Sequence, residues 1–263
     1  MKNLVAVTGE GPTDYGRKIF NTKLGKYQWQ WGPVKELLEK CRIKLIDEIE
    51  VEWVPVEKED LKRVKLLRTD KNLKGRAIPA RKFRNYCCEK QIPFGIFYTD
   101  ADRGENSGKE MKQAEKHFIM VYSEVKNGLE MNKPEDEFIP MIPMKMIENW
   151  LLADEGIYNN EYGKIPTNPS LPKQPELIWG NKEDPKSDYP KNYLSRVLAD
   201  VSKGKEKSSQ EVFCRLIQYL NIDIIRDRCP ISFERFCQDF QGMCRAIQGS
   251  AKETKDSPIR RNT

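Results

Sequence analysis

Two short apolar runs in this 263-residue chain each stop at carboxylates. The first reads Leu4-Val5-Ala6-Val7-Thr8-Gly9-Glu10, the second Phe94-Gly95-Ile96-Phe97-Tyr98-Thr99-Asp100-Ala101-Asp102. Runs of this length, rich in β-branched and aromatic residues and stopped by Gly or Asp, read as buried strands of an α/β sheet. Such sheets bind ligands outside their strand C-termini, so Glu10, Asp100 and Asp102 are expected at one rim. Three acids gathered there repel one another unless a cation sits between them, and an all-oxygen donor set suits Mg²⁺ or Mn²⁺. The pairing points to metal-dependent phosphate chemistry.

The rest of the N-terminal half fits the same class. Pro12-Thr13-Asp14 reads as the opening of a helix carrying Ile19 and Phe20, and Gly32-Pro33 as the opening of another with Val34, Leu37, Leu38 and Cys41 on one face. Residues 49–56 alternate as a strand edged by Pro55. A basic loop and a helix over residues 79–90 precede the second carboxylate strand. A capping box, Ser107 to Glu110, then starts a helix whose stripe is Met111, Ala114, Phe118, Val121, Tyr122 and Val125. A strand over 137–143 leads into a mostly buried helix over 144–154. The expected fold over residues 1–155 is α/β, a largely parallel sheet of about four strands flanked by helices.

Residues 156–250 are expected to form a helical C-terminal extension. Its first part, to about Pro190, is rich in Pro, Asn, Gly and Lys and reads as a long ordered loop or a linker. Helices follow from Pro190, from a capping box at Ser208 to Glu211, and from Ser232, where Phe233, Phe236, Cys237, Phe240, Met243, Cys244 and Ile247 hold helical spacing. Residues 251–263 read as a disordered tail.

The length suffices for a full core without disulfide support. The seven cysteines are odd in number and lack CxxC spacing, which argues against zinc and for a reducing cytoplasm. No apolar segment approaches the roughly 18 residues of a membrane span, so a cytoplasmic protein with no membrane partner is expected. The net charge of +6 is unevenly placed: residues 58–84 hold eleven Lys and Arg against Glu59, Asp60 and Asp70. Lys62, Arg63, Lys65, Arg68, Arg81 and Arg84 of this block are candidates for contact with a nucleic-acid backbone, a solvated face being the alternative. Arg103 is a further candidate, to stabilise phosphate charge or to pair with the neighbouring acids.

Glycines around Glu10 permit a tight turn and close approach of a phosphate, although such turns also serve as plain connectors. In Asp100-x-Asp102, alternation aims both carboxylates the same way; a helix cap is the competing role. Glu148, inside an apolar stretch beside Trp150, is a catalytic or metal candidate, or else a surface or paired acid. Asp154 reads as a cap. The one histidine, His117, reads as structural, which argues against histidine-based nucleases and Ser-His-Asp hydrolases. The chain has no GxxxxGK[ST] and is not expected to be a P-loop ATPase itself.

A strand ending in Glu within Glu10-Gly11-Pro12-Thr13-Asp14, followed by a later strand ending in Asp100-x-Asp102, resembles the Toprim domain of topoisomerases, primases and the overcoming-lysogenization-defect nucleases. The resemblance covers about residues 1 to 155, and the interval from Glu10 to Asp100 implies an insertion around the basic block. Residues 147–154, 188–194 and 232–236 are similar to a bacterial Toprim-like family that accompanies ATPases in phage-defence loci. The resemblance implies a divalent-metal-dependent nuclease, the effector subunit of a defence system working with an ABC-type or AAA-type ATPase. Glu10, Asp100 and Asp102 would hold the metal, or Glu10 would act as general base. The rival expectation is a non-catalytic Toprim-like subunit that binds the ATPase or nucleic acid.

Overall fold

A computed structural model of the chain describes residues 3–46, 49–101, 111–130 and 137–256. Four strands, β1 (Asn3–Thr8), β4 (Val51–Pro55), β5 (Phe94–Tyr98) and β6 (Glu137–Met141), form an all-parallel sheet in the order β4-β1-β5-β6. The chain leaves β1 for the β4 edge and later returns to the other side of β1 at β5. The switch point of the sheet therefore lies between the C-terminal ends of β1 and β5, where the two carboxylate runs end.

Both faces of the sheet are covered, which is why its central strands β1 and β5 are apolar runs, while the edge strand β4 alternates. Val5 and Val7 of β1, with Phe94, Ile96 and Tyr98 of β5, pack against α1 (Pro33–Leu45) and the C-terminal helices. Ala6 and Phe97 face the opposite way, toward α3 (Ala77–Glu89) and α4 (Met111–Leu129). The stripe expected on α4 is buried at Ala114, Phe118, Val121 and Val125.

The helix expected from Pro12 is absent. A single turn, Gly11–Tyr15, leads instead into an antiparallel hairpin of β2 (Gly16–Asn21) and β3 (Lys26–Trp31). Gly16 is required there: its φ is +121°, and a Cβ would lie 2.3 Å from the Gln30 carbonyl oxygen. Tyr15 fastens the hairpin to the sheet, since its hydroxyl donates to Val7 O (2.6 Å) and accepts from Val56 N (2.7 Å). The helix expected over 144–154 shrinks to α5 (Glu148–Leu151), buried throughout.

The extension is not separate from the sheet. After α6 (Gly156–Tyr162) and a long ordered loop come α7 (Pro190–Val201), α8 (Gln210–Gln218), α9 (Ile222–Arg228) and α10 (Phe233–Asp256), and their apolar faces share one core with α1 and the sheet. Ser209, one residue after the expected cap, accepts from Val212 N at the start of α8. All seven apolar positions expected for α10 are buried. α10 reaches Asp256, so residues 251–256 of the expected tail are helical; residues 257–263 lie outside the described residues. Trp150 stacks among Phe233 and Phe236, and its indole donates to Ser232 Oγ (2.9 Å). Among the described residues no helix is long and apolar enough to cross a membrane.

Because sheet and extension share this core, Phe236→Ala is expected to cost about 3–5 kcal/mol. Unfolding followed by both fluorescence and circular dichroism should remain one cooperative transition, shifted to lower temperature, rather than splitting into two.

Candidate active site

β5 delivers Asp100 to the switch point, and its exit is held from three sides. Arg76 Nη2 donates to Asp100 O (2.9 Å) and Ala101 O (3.1 Å), and His117 Nε2 donates to Ala101 O (2.9 Å). Backbone bonds from Thr99 N to Met141 O and from Ala101 N to Pro143 O tie the same segment to the end of β6. His117 thus has the structural role expected of it.

Strand alternation then divides the acids. Asp100 follows Tyr98 on the α1 side, where Tyr98 Oη donates to Asp100 Oδ1 (2.9 Å) and Asp14 Oδ2 (3.3 Å). Gly9 makes room for this ring, for a Cβ there would lie 2.9 Å from Tyr98 Cδ1. Glu148, at the start of α5, is buried beside them, and Lys191 of α7 reaches in with Nζ 4.0 Å from Glu148 Oε1. Glu148 Oε2 is buried with no hydrogen-bond partner among the described residues. Glu10 instead follows Thr8 on the opposite side and accepts from Thr99 Oγ1 (2.8 Å).

Electrostatics bind the first group together. Burial raises the Asp100 pKa well above the usual carboxylate range, and the charges of Asp14, Glu148 and Glu10 raise it further against the Tyr98 hydrogen bond. Burial also raises Asp14, opposed by Lys191 and Tyr98. Glu148 is pushed up to about 7, by burial first and Asp14 second, with Lys191 opposing. For Lys191, desolvation acts downward but Glu148, Asp14 and Asp100 outweigh it, so its pKa is raised. Three ionised carboxylates beside one ammonium would leave two uncompensated negative charges in a buried site. The raised pKa values answer that excess with protons.

Burial of an acid does not by itself mark this site. Glu176 is equally buried, but it accepts from Ile231 N, Ser232 N and Ser232 Oγ, so its oxygens are satisfied at the start of α10. Asp154 likewise caps, accepting from Gly156 N and Asn221 N.

Glu10 lines a different feature. A cavity of about 350 Å³ opens between the ends of β1 and β5 and helices α2 (Lys58–Arg63) and α3. Glu10 sits on its wall with Lys58, Lys62, Arg76 and Lys82, over an apolar floor of Leu61 and Phe97. Carboxylate and cations thus share one concave surface beside the buried acids.

The expected convergence of Glu10 with Asp100 is therefore partial: Glu10 influences Asp100 but faces the other side of the strand ends. Among the described residues no group of three His, Cys, Asp or Glu side chains is arranged to hold one metal ion. Asp102 and Arg103 lie outside the described residues. Asp14, Tyr98 and Lys191 are the site members sequence reasoning missed. The basic block also divides. Lys62, Arg63, Lys65 and Arg68 are exposed, Lys62 pairing with Glu59 (2.6 Å). Arg81 is instead tied to Asp70 (3.3 Å) and donates to Asn127 O (2.8 Å), while Arg84 donates to Glu130 O (2.5 Å). These two arginines brace α3 against the end of α4. No family model matches the chain, and no curated protein or solved structure matches it.

The Glu148 shift predicts a pH dependence of stability. Its ordinary pKa is 4.5 and its folded value about 7, so across that window the unfolded chain loses a proton that the folded protein keeps. Stability falls as pH rises through the window, by about 3 kcal/mol for this group, and stays lower above it. Melting wild type and Glu148→Gln at about pH 5 and about pH 8 should show a smaller alkaline loss in the variant.

Proposed function

We propose that the chain is a divalent-metal-dependent hydrolase of nucleic-acid phosphodiesters. The observation that carries this reading is the buried carboxylate excess of Asp14, Asp100 and Glu148 at the switch point, beside a cavity lined by Lys58, Lys62, Arg76 and Lys82. Its donors are all oxygen, the ligand type of Mg²⁺ and Mn²⁺, and Glu148 Oε2 has no partner among the described residues. Asp100 and Glu148 would hold the ion, with Asp14 behind them and Asp102 the further candidate from sequence. Such an ion, when bound, neutralises phosphate charge and makes water a stronger nucleophile.

The chain's own groups have separable tasks. Lys58, Lys62 and Lys82 hold a phosphate in the cavity, and Arg76 keeps the β5 exit in place through Asp100 O and Ala101 O. Glu10, held by Thr99 on the cavity wall, is placed to orient water and take its proton. Exposed Lys62, Arg63, Lys65 and Arg68 extend the positive surface along a nucleic-acid backbone. The further reading, a phage-defence effector that works with an ABC-type or AAA-type ATPase, rests on the Toprim-like resemblance alone.

Labelled DNA and RNA pools with Mg²⁺ or Mn²⁺ test the chemistry. Wild type should cleave one of them, and Asp100→Asn should lose at least about 100-fold in rate while its metal-free melting temperature stays equal or rises. Binding by wild type without cleavage under either metal would favour the non-catalytic subunit. Reversing the charges of Lys62, Arg63, Lys65 and Arg68 together should weaken binding and flatten its salt dependence by about 0.9 in log–log slope per lost duplex contact. Unchanged affinity and slope would make this face merely solvated.

A further inference from the structure

The β2–β3 hairpin, which leaves the sheet directly after Glu10 and the Asp14 turn, has no part in the chemistry described above. Its sequence, residues 16–31, carries Arg17, Lys18, Lys23 and Lys26 and no acid. The register pairs Phe20 with Tyr27 and Lys18 with Trp29, so one face of the ribbon bears Lys18, Phe20, Tyr27, Trp29 and Trp31. This aromatic row changes character along its length. Near the sheet, Trp29 and Trp31 are half-buried and packed on Tyr15, with ring centroids 4.9 and 5.7 Å away. At the tip, Phe20 and Tyr27 stand edge to face at 5.2 Å and remain 52% and 64% exposed.

Two exposed aromatics on an anchored, wholly basic ribbon are costly to leave in water, and the charge favours a polyanionic partner. We infer that this ribbon is a binding arm for single-stranded nucleic acid, with bases stacking on Phe20 and Tyr27 and the phosphates passing over the ribbon's edge to Lys23 at the turn and to Lys26 and Arg17, which alternation puts on its other face. The two ring centroids lie 5.2 Å apart, more than the ~3.4 Å rise of a stacked strand, so the pair suits bases already pulled out of a duplex stack. The ion pair from Lys18 to Glu57 (2.9 Å) brings the ribbon's base beside α2 and the Glu10 cavity, so a strand held on the arm is led toward that cavity.

The inference rests on the reading of the chain as acting on nucleic acid, but its test is independent of catalysis. The full chain is titrated, in EDTA, into a fluorescein-labelled single strand and into the duplex of the same sequence, and binding is followed by anisotropy. Phe20→Ala/Tyr27→Ala should lose at least about tenfold in affinity for the single strand and much less for the duplex. Lys23→Gln/Lys26→Gln should weaken both and lower the salt slope. All four side chains are exposed, and unchanged melting temperatures confirm that the variants fold. Wild-type affinity of the aromatic variant for the single strand, or equal loss on both ligands, overturns the stacking arm. Failure of wild type to bind either ligand overturns it together with the nucleic-acid reading. Binding that is intact and ribbon-dependent in a protein that cleaves nothing would sink the hydrolase and leave the arm standing.

Discussion

Three carboxylates, one ammonium and one phenol share the space under the ends of β1 and β5, and the surrounding structure is arranged to keep them there. Asp14, Asp100 and Glu148 repel one another, and burial magnifies the repulsion. Their positions persist because the backbone around them is over-determined: Arg76 and His117 hold the Ala101 carbonyl, Gly9 admits Tyr98, and Tyr15 locks the turn that carries Asp14. That repulsion is a cost of the folded state, eased by the raised pKa values that let the acids keep protons.

The site is also a joint between the two halves of the chain. The sheet contributes Asp100 and Tyr98, the first turn Asp14, α5 Glu148 and the extension Lys191. Lys191 partly balances the acids, so α7 takes part in their electrostatics and not only in packing. The shared core around Trp150, Phe233 and Phe236 then fixes how α5 and the extension meet.

Much of this was legible in the residues. β1 and β5 announced themselves as continuous apolar runs, because both faces of a parallel sheet are covered, and α10 showed seven apolar residues at helical spacing. The hairpin was not read, since Pro12-Thr13-Asp14 also looks like a helix start. Its signals were the alternation Lys26-Tyr27-Gln28-Trp29-Gln30-Trp31 and the glycines at 16 and 25, both with positive φ. Asp14 was lost with it. The side on which Glu10 lies depends on register between strands: Thr8 pairs with Phe97, so Glu10 and Asp100 fall on opposite faces, a parity no single run displays. Likewise, that Arg81 and Arg84 brace helices while Lys62 to Arg68 face solvent depends on what α4 brings near them.

The central claim is that the protons on the buried acids and a divalent cation are alternatives for the same charge deficit. Calorimetric titration of the metal-free protein with Mn²⁺, in two buffers of different ionisation enthalpy at a pH slightly below the Glu148 value of about 7, reads this directly. The account predicts a binding heat that depends on the buffer, reporting release of about one proton per ion, with both binding and proton release greatly reduced in Asp100→Asn. Mn²⁺ binding without proton release, or binding unaltered by the Asp100 substitution, would contradict it.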